Sequence, residues 1–259
     1  MTGISAAERY RPPARSFVRL VALQGKLTWR DPLLPLLGLG LPVFLLAVSG
    51  IVPAFAGPAF GDTRFTLFGY YLPVWICLSI STISLFCLPT PFVADRESRW
   101  LRRVSTTPAP PSWLLGAQLA VNAVLALLAV GVLTLGSIAF FGVRPPAQPA
   151  GFALVAVLLI TAMFAVGLFV TAVARTAGVV LGLGQALFQP LLFLGGVWVP
   201  REILPDALRA AGDYTPIGAA STAMRDAMLG TLPAPTSLLV LAGWTVVFGG
   251  AAVRFFRWE

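Results

Sequence analysis

The chain has 259 residues, of which 58% are hydrophobic and only 11% charged, with a mean hydropathy of +0.87. Soluble domains carry about one quarter charged residues, so this composition excludes a water-soluble fold and places most of the chain in a bilayer. The formal charge of +8 would suggest nucleic acid in a soluble protein, but here its distribution along the chain matters more than its sum, and no nucleic-acid partner is expected.

Residues 1–31 are polar and basic, with Arg9, Arg11, Arg15, Arg19, Lys26 and Arg30 against Glu8 and Asp31. At 100° per residue Arg15, Arg19, Lys26 and Arg30 fall within about 60° of one another, and Phe17, Leu20, Val21 and Leu27 point the other way. This pattern predicts a helix lying flat at the inner membrane surface, basic side toward anionic headgroups. Residues 33–52 are the first uncharged run, about 30 Å long as a helix and so matched to the bilayer core. The A-x-A of Ala54 to Ala56 resembles a signal-peptidase site, but a signal's apolar segment is about 7 to 15 residues long. The longer run here is read as a retained span.

Residues 53–65 read as a Gly/Pro loop. The second span, 66–92, is interrupted by Pro73 and Pro89 and carries Ser79, Ser81, Thr82 and Ser84. A charged island, 93–113, follows and must lie outside the bilayer. The remaining spans are 114–142, with Gln118 and Asn122 near its start, then 152–174, then 178–199 with Gln185 and Gln189, and finally 236–253. Residues 200–235 are mixed. Pro200, Pro205 and Pro216 each remove a backbone donor, so this region cannot be one continuous span. Ile203, Leu204, Ala207, Leu208 and Ala211 recur there at helical spacing, which suits a helical hairpin dipping into the membrane under cover of protein or water.

Six spans put both termini on one side. Thirteen of the 18 Lys and Arg residues lie in the N-terminal tail, the island, Arg175 and the C-terminus, and the side rich in them is cytoplasmic. The island is then a cytoplasmic loop, and 200–235 faces outward.

The spans contain no Asp, Glu, Lys, Arg or His, and the chain has no histidine at all. An ion-driven carrier usually places at least one carboxylate in the membrane, although sites of carbonyls and hydroxyls exist, so a gradient-driven carrier or channel stays as the alternative reading. An intramembrane hydrolase needs a base beside its nucleophile, and the one lysine, Lys26, sits in the tail. No catalytic residues and no metal site are expected. Gly25-Lys26 is followed by Leu27 and lacks the pattern of a phosphate-binding loop, so ATP, if used, binds to another polypeptide. Cys77 and Cys87 lie about 15 Å apart along one helix, too far for a disulfide.

Two segments carry a resemblance. In the island, Arg96, Glu97, Leu101, Val104, Thr107, Pro108 and Leu114-Leu115-Gly116 fit the spacing of the cytoplasmic loop of ABC-2 type transporter permeases, with Arg99 and Trp100 replacing the usual glycine and threonine. In 193–229, Gly195, Gly196, Pro200, Leu204-Pro205, Pro216 and Arg225 hold the places of the same permeases' outer region after the fifth span. The resemblance implies an all-α integral membrane protein forming one domain over 1–259. Its six transmembrane helices would be joined by an N-terminal interfacial helix and an outer re-entrant hairpin between spans five and six.

The resemblance also implies partners: cytosolic ABC ATPase subunits that bind ATP and Mg, and a second permease subunit, identical or not. In this reading Arg96, Glu97, Arg99, Trp100, Leu101 and Arg103 meet the ATPase. Ser79, Thr82, Gln185, Phe188, Gln189 and Trp198 are expected along a pathway for a hydrophobic or amphiphilic drug, natural product or lipid. The chain would then be a multi-pass exporter subunit of a bacterial plasma membrane, of the drug- or antibiotic-efflux type.

Overall fold

The computed structural model describes residues 14–30, 33–59, 62–97 and 111–255. The basic N-terminal segment forms α1, Ala14–Arg30. Its Phe17, Leu20, Val21 and Gln24 turn inward, while Arg19, Lys26 and Arg30 are exposed on the opposite side. Leu27 departs from the expected arrangement: it is 49% exposed, at the edge of the basic face.

The first apolar run is helical from Leu33 to Ile51 but not uniformly wound. A turn at Leu33–Pro35 leads into a wide π-helical segment, Leu36–Gly40, and then into α2, Leu41–Ile51. Proline explains the local packing. Pro42 has no N–H to offer the carbonyl of Gly38 four residues earlier, and the Ser79 hydroxyl from a neighbouring helix donates to that carbonyl instead. Gly38 permits the approach, because a Cβ there would lie 2.8 Å from Ile83. Ser79→Ala is expected to cost about 1 kcal/mol, the size of one interhelical hydrogen bond, read as a lower unfolding midpoint in detergent.

Residues 53–65, expected as a plain loop, contain a 3-10 turn, Pro53–Ala56, and an antiparallel pair of short strands, β1 (Pro58–Ala59) and β2 (Asp62–Thr66). The Thr66 side chain then caps α3, Leu67–Thr82, by accepting from Gly69 N at 3.2 Å. The helix continues through a second π segment, Ile83–Cys87, into α4, Pro89–Glu97.

This long unit is the centre of the molecule, and every residue from Leu72 to Pro89 is buried. Around it stand α2, α5 (Pro111–Phe141), α6 (Pro149–Val173), α7 (Ala177–Leu194) and α9 (Pro216–Leu229). A short amphipathic helix, α8 (Asp206–Asp213), precedes α9, and α10 (Pro235–Phe255) packs mainly along α6.

Among the described residues five helical stretches are long and apolar enough to cross a membrane: Leu67–Ala94, Trp113–Phe141, Pro149–Val173, Ala177–Leu194 and Pro235–Phe255. Leu36–Ile51 is a shorter apolar helix. The fifth run ends sooner than the sequence predicts, because the helix stops at Leu194 and the chain turns at Gly195 and Gly196. Exposed Val124, Leu127, Leu128, Val132 and Leu135 on α5, and Leu239, Val246 and Val247 on α10, face outward. That is the pattern of a bundle solvated by lipid, where apolar side chains belong outside as well as inside.

Candidate functional site

The most elaborate polar construction lies where α7 ends. Arg201 follows Pro200 in a 3-10 turn and is 5% exposed. One guanidinium nitrogen donates to Gly218 O at 3.1 Å and to Thr222 Oγ1 at 2.6 Å. The other donates to Arg209 O at 3.0 Å and to the Asp213 carboxylate. A single side chain thus ties the turn after α7 to both α8 and α9.

Glycines make the room for this tie. Gly196 has φ +87°, and a Cβ there would lie 2.7 Å from Arg201 Cγ. A Cβ on Gly195 would lie 2.2 Å from Ile217, and one on Gly218 would lie 2.1 Å from the Gly212 carbonyl oxygen. Thr215 completes the corner: its hydroxyl accepts from Gly218 N at 3.1 Å as the cap of α9, and Pro216 occupies the first helical turn, where its missing N–H costs nothing. Gly195, Gly196 and Pro216 from the expected outer cluster are therefore parts of one joint, while Pro205 stands just before α8. Arg201, the residue at the centre of that joint, is not among the sequence candidates.

Arg225 lies further along α9 in a second polar group. Its guanidinium sits 3.9 Å from the centroid of the Tyr70 ring, and a terminal nitrogen lies 3.8 Å from the Glu202 carboxylate. The Tyr70 hydroxyl donates to Glu202. Asp226 beside it is half-buried, and burial pushes its carboxyl above the usual carboxylate range while Arg225 pulls it back.

The expected pathway residues separate into two sets. Ser79 and Thr82 are buried within the bundle; Ser79 joins α3 to the π segment Leu36–Gly40 as above, and the Thr82 hydroxyl donates to Leu78 O at 2.9 Å. Phe188 is also buried, edge-on against Phe86 with ring centroids 5.3 Å apart. Gln185 and Gln189, by contrast, are exposed along one face of α7. Trp198, 59% exposed, donates from Nε1 to Gln189 Oε1 at 3.2 Å and extends that face past the end of the helix.

At the opposite end of the bundle α1 packs against the first turns of α5. Phe17 meets Trp113 edge-on at 5.6 Å, and the Gln24 amide donates to Gln118. Gln118 in turn donates to Cys87 O at 3.4 Å, four residues before Pro91, which has no N–H to give. Arg15 lies in the first turn of α1, and Arg96 and Glu97 form the last turn of α4. Arg99, Trp100, Leu101 and Arg103 lie outside the described residues.

An all-helical bundle of membrane-length helices, with a basic amphipathic helix docked on one end and a glycine-lined arginine joint at the other, defines a multi-pass membrane protein. The chain belongs to the ABC-2 type transporter family, whose model matches residues 15–229. It is also 23% identical to the Bacillus subtilis (strain 168) protein named "Putative transport permease YvfS" over 180 residues, covering 69% of this chain and 73% of that one. The chain is accordingly a membrane transport subunit of an ABC transporter, and family membership implies association with ABC ATPase subunits.

Proposed function

We propose that this permease exports a hydrophobic or amphiphilic compound from a bacterial cell, driven by ATP and Mg bound on a separate cytosolic ATPase. In this reading residues 33–52 are the first of six spans, both termini are cytoplasmic, and residues 200–235 form the outer re-entrant region. The basic face of α1 and the loop beyond α4 grip the ATPase. Drug or antibiotic efflux is the form of export that an uncharged, largely apolar path suits best.

The face of α7 carries the proposal. Gln185 and Gln189 project outward from a helix otherwise suited to lipid, with Trp198 bonded to Gln189. An amide left in hydrocarbon without partners is costly, so this face is not abandoned to acyl chains. A second permease subunit seated opposite it would enclose an uncharged path, apolar enough for an amphiphile and polar enough to orient one. ATP binding would draw the motors together and shift the spans between two arrangements, because ligand binding to one state changes its population.

The test is purification of the chain with its ATPase and assay of ATP-dependent transport in proteoliposomes. Replacing Trp100 and Arg103 by Asp is expected to abolish co-purification and reduce transport at least about tenfold, since Trp and Arg anchors dominate interface energies. Transport by the isolated chain under an ion gradient, without nucleotide, would refute the proposal.

A further inference from the structure

We infer that Tyr70, Glu202 and Arg225 form a releasable latch that holds α9 against α3, and that its opening admits water along the α3–α9 seam as far as Cys77. The inference needs neither an ATPase nor a transport direction, so it stands or falls separately from the export reading.

The three residues come from three elements that the chain brings together only by folding: the start of α3, the 3-10 turn after α7, and the last part of α9. Their bonding differs in kind from that of Arg201. Arg201 donates to four acceptors on two helices and acts as a fixed pin. Arg225 has no such set. Its nearest carboxylate oxygen is 3.8 Å away, beyond hydrogen-bonding reach. It rests instead on the ring of Tyr70, and its Nε and one terminal nitrogen are shielded from water with no hydrogen-bond partner.

Unmet donors on a shielded cation destabilise the closed arrangement, and hydration in an open one would satisfy them. What keeps the seam shut at this end is then the Tyr70 hydroxyl on Glu202, the attraction of Glu202 for Arg225, and the cation on the ring. Two of these three contacts run through Glu202. Its side chain is 41% exposed, so the group whose bonds must break lies at the surface of the bundle.

The seam itself has a built-in reporter. The helices run antiparallel, so that Tyr70 lies opposite Arg225 and Cys77 lies opposite Ile217, whose carbonyl is 3.8 Å from the Cys77 sulfur. Cys77 is seven residues past Tyr70, about 10 Å along the same face of α3. It is fully buried; Cys87, 4% exposed, belongs to the π segment, where its carbonyl accepts from Gln118, the partner of Gln24 on α1.

The experiment uses the full chain in lipid nanodiscs, where both faces are open to a charged, water-soluble maleimide, and reads each cysteine by peptide mass. In the unaltered protein both thiols are expected to react slowly. Tyr70→Phe keeps the ring under Arg225 and removes only the hydroxyl, and Glu202→Gln keeps the shape and removes the charge. Either change is expected to raise the Cys77 rate about tenfold, the effect of losing about one charge-assisted hydrogen bond, with Cys87 unchanged. An unchanged Cys77 rate in both variants would overturn the inference. So would a parallel rise at Cys87, which would mean general loosening of the fold.

Discussion

Arg201→Ala is expected to lower stability by about 3 to 5 kcal/mol, the largest loss of any single polar substitution in the described residues. The magnitude comes from the acceptors left behind. Gly218 O, Thr222 Oγ1 and Arg209 O each lose a donor, the first in a buried place and the other two in partly buried ones. The ion pair itself adds little, because the Asp213 side chain is 57% exposed and screened.

Arg201→Lys is expected to recover less than half the loss. One ammonium cannot serve acceptors on α8 and α9 at once, as the planar guanidinium does. Arg209→Ala is the control: its ion pair with Asp206 is exposed, and its removal is expected to cost under about 0.5 kcal/mol. Thermal unfolding in detergent separates the three variants. If Arg201→Ala melts alongside Arg209→Ala, the joint is not held as described.

The bilayer explains what could and could not be read from the sequence. Uncharged runs long enough to span hydrocarbon announce themselves, and five of the six expected spans coincide with long apolar helices. The all-helical class followed directly, because a lipid-exposed backbone must satisfy its own hydrogen bonds.

Which face of a span points inward was not legible. In a soluble helix polarity marks the outside, but lipid and protein interior are both apolar, so α3 and α5 show no sidedness that a sequence pattern could reveal. For this reason Ser79 and Gln189 look alike on paper, yet one is a fully buried staple and the other an exposed amide. Arg201 was hidden for a related cause. Nothing local distinguishes it from Arg209, eight residues on. Only the glycines at 195, 196, 212 and 218, which the fold gathers from both sides of it, show that a backbone cradle has been cleared around it.

The same logic locates the most sensitive contact in the membrane core, where α6 crosses the π segment of the central helix. A Cβ on Gly167 would lie 2.1 Å from the carbonyl oxygen of Ser84 and 3.0 Å from its carbon. Both are backbone atoms that no rotamer change can move, so Gly167→Ala must separate the two helices or deform the π turn. Overpacking of this kind costs about 1 to 3 kcal/mol, although alanine on its own favours a helix by about 1 kcal/mol over glycine.

Gly243 in α10 isolates that propensity, because a Cβ there meets nothing within 4 Å. The two identical substitutions are therefore expected to have opposite signs: Gly167→Ala lowers the unfolding midpoint and Gly243→Ala raises it. Equal shifts would mean that helix propensity alone decides both. The consequence for transport follows from position. Ile83–Cys87 lies between the α3–α9 seam and α4, the helix that precedes the residues proposed to meet the ATPase. On the proposed function, a displaced π turn is expected to weaken ATP-dependent transport more than the stability loss accounts for, measured as transport per correctly folded protein in proteoliposomes.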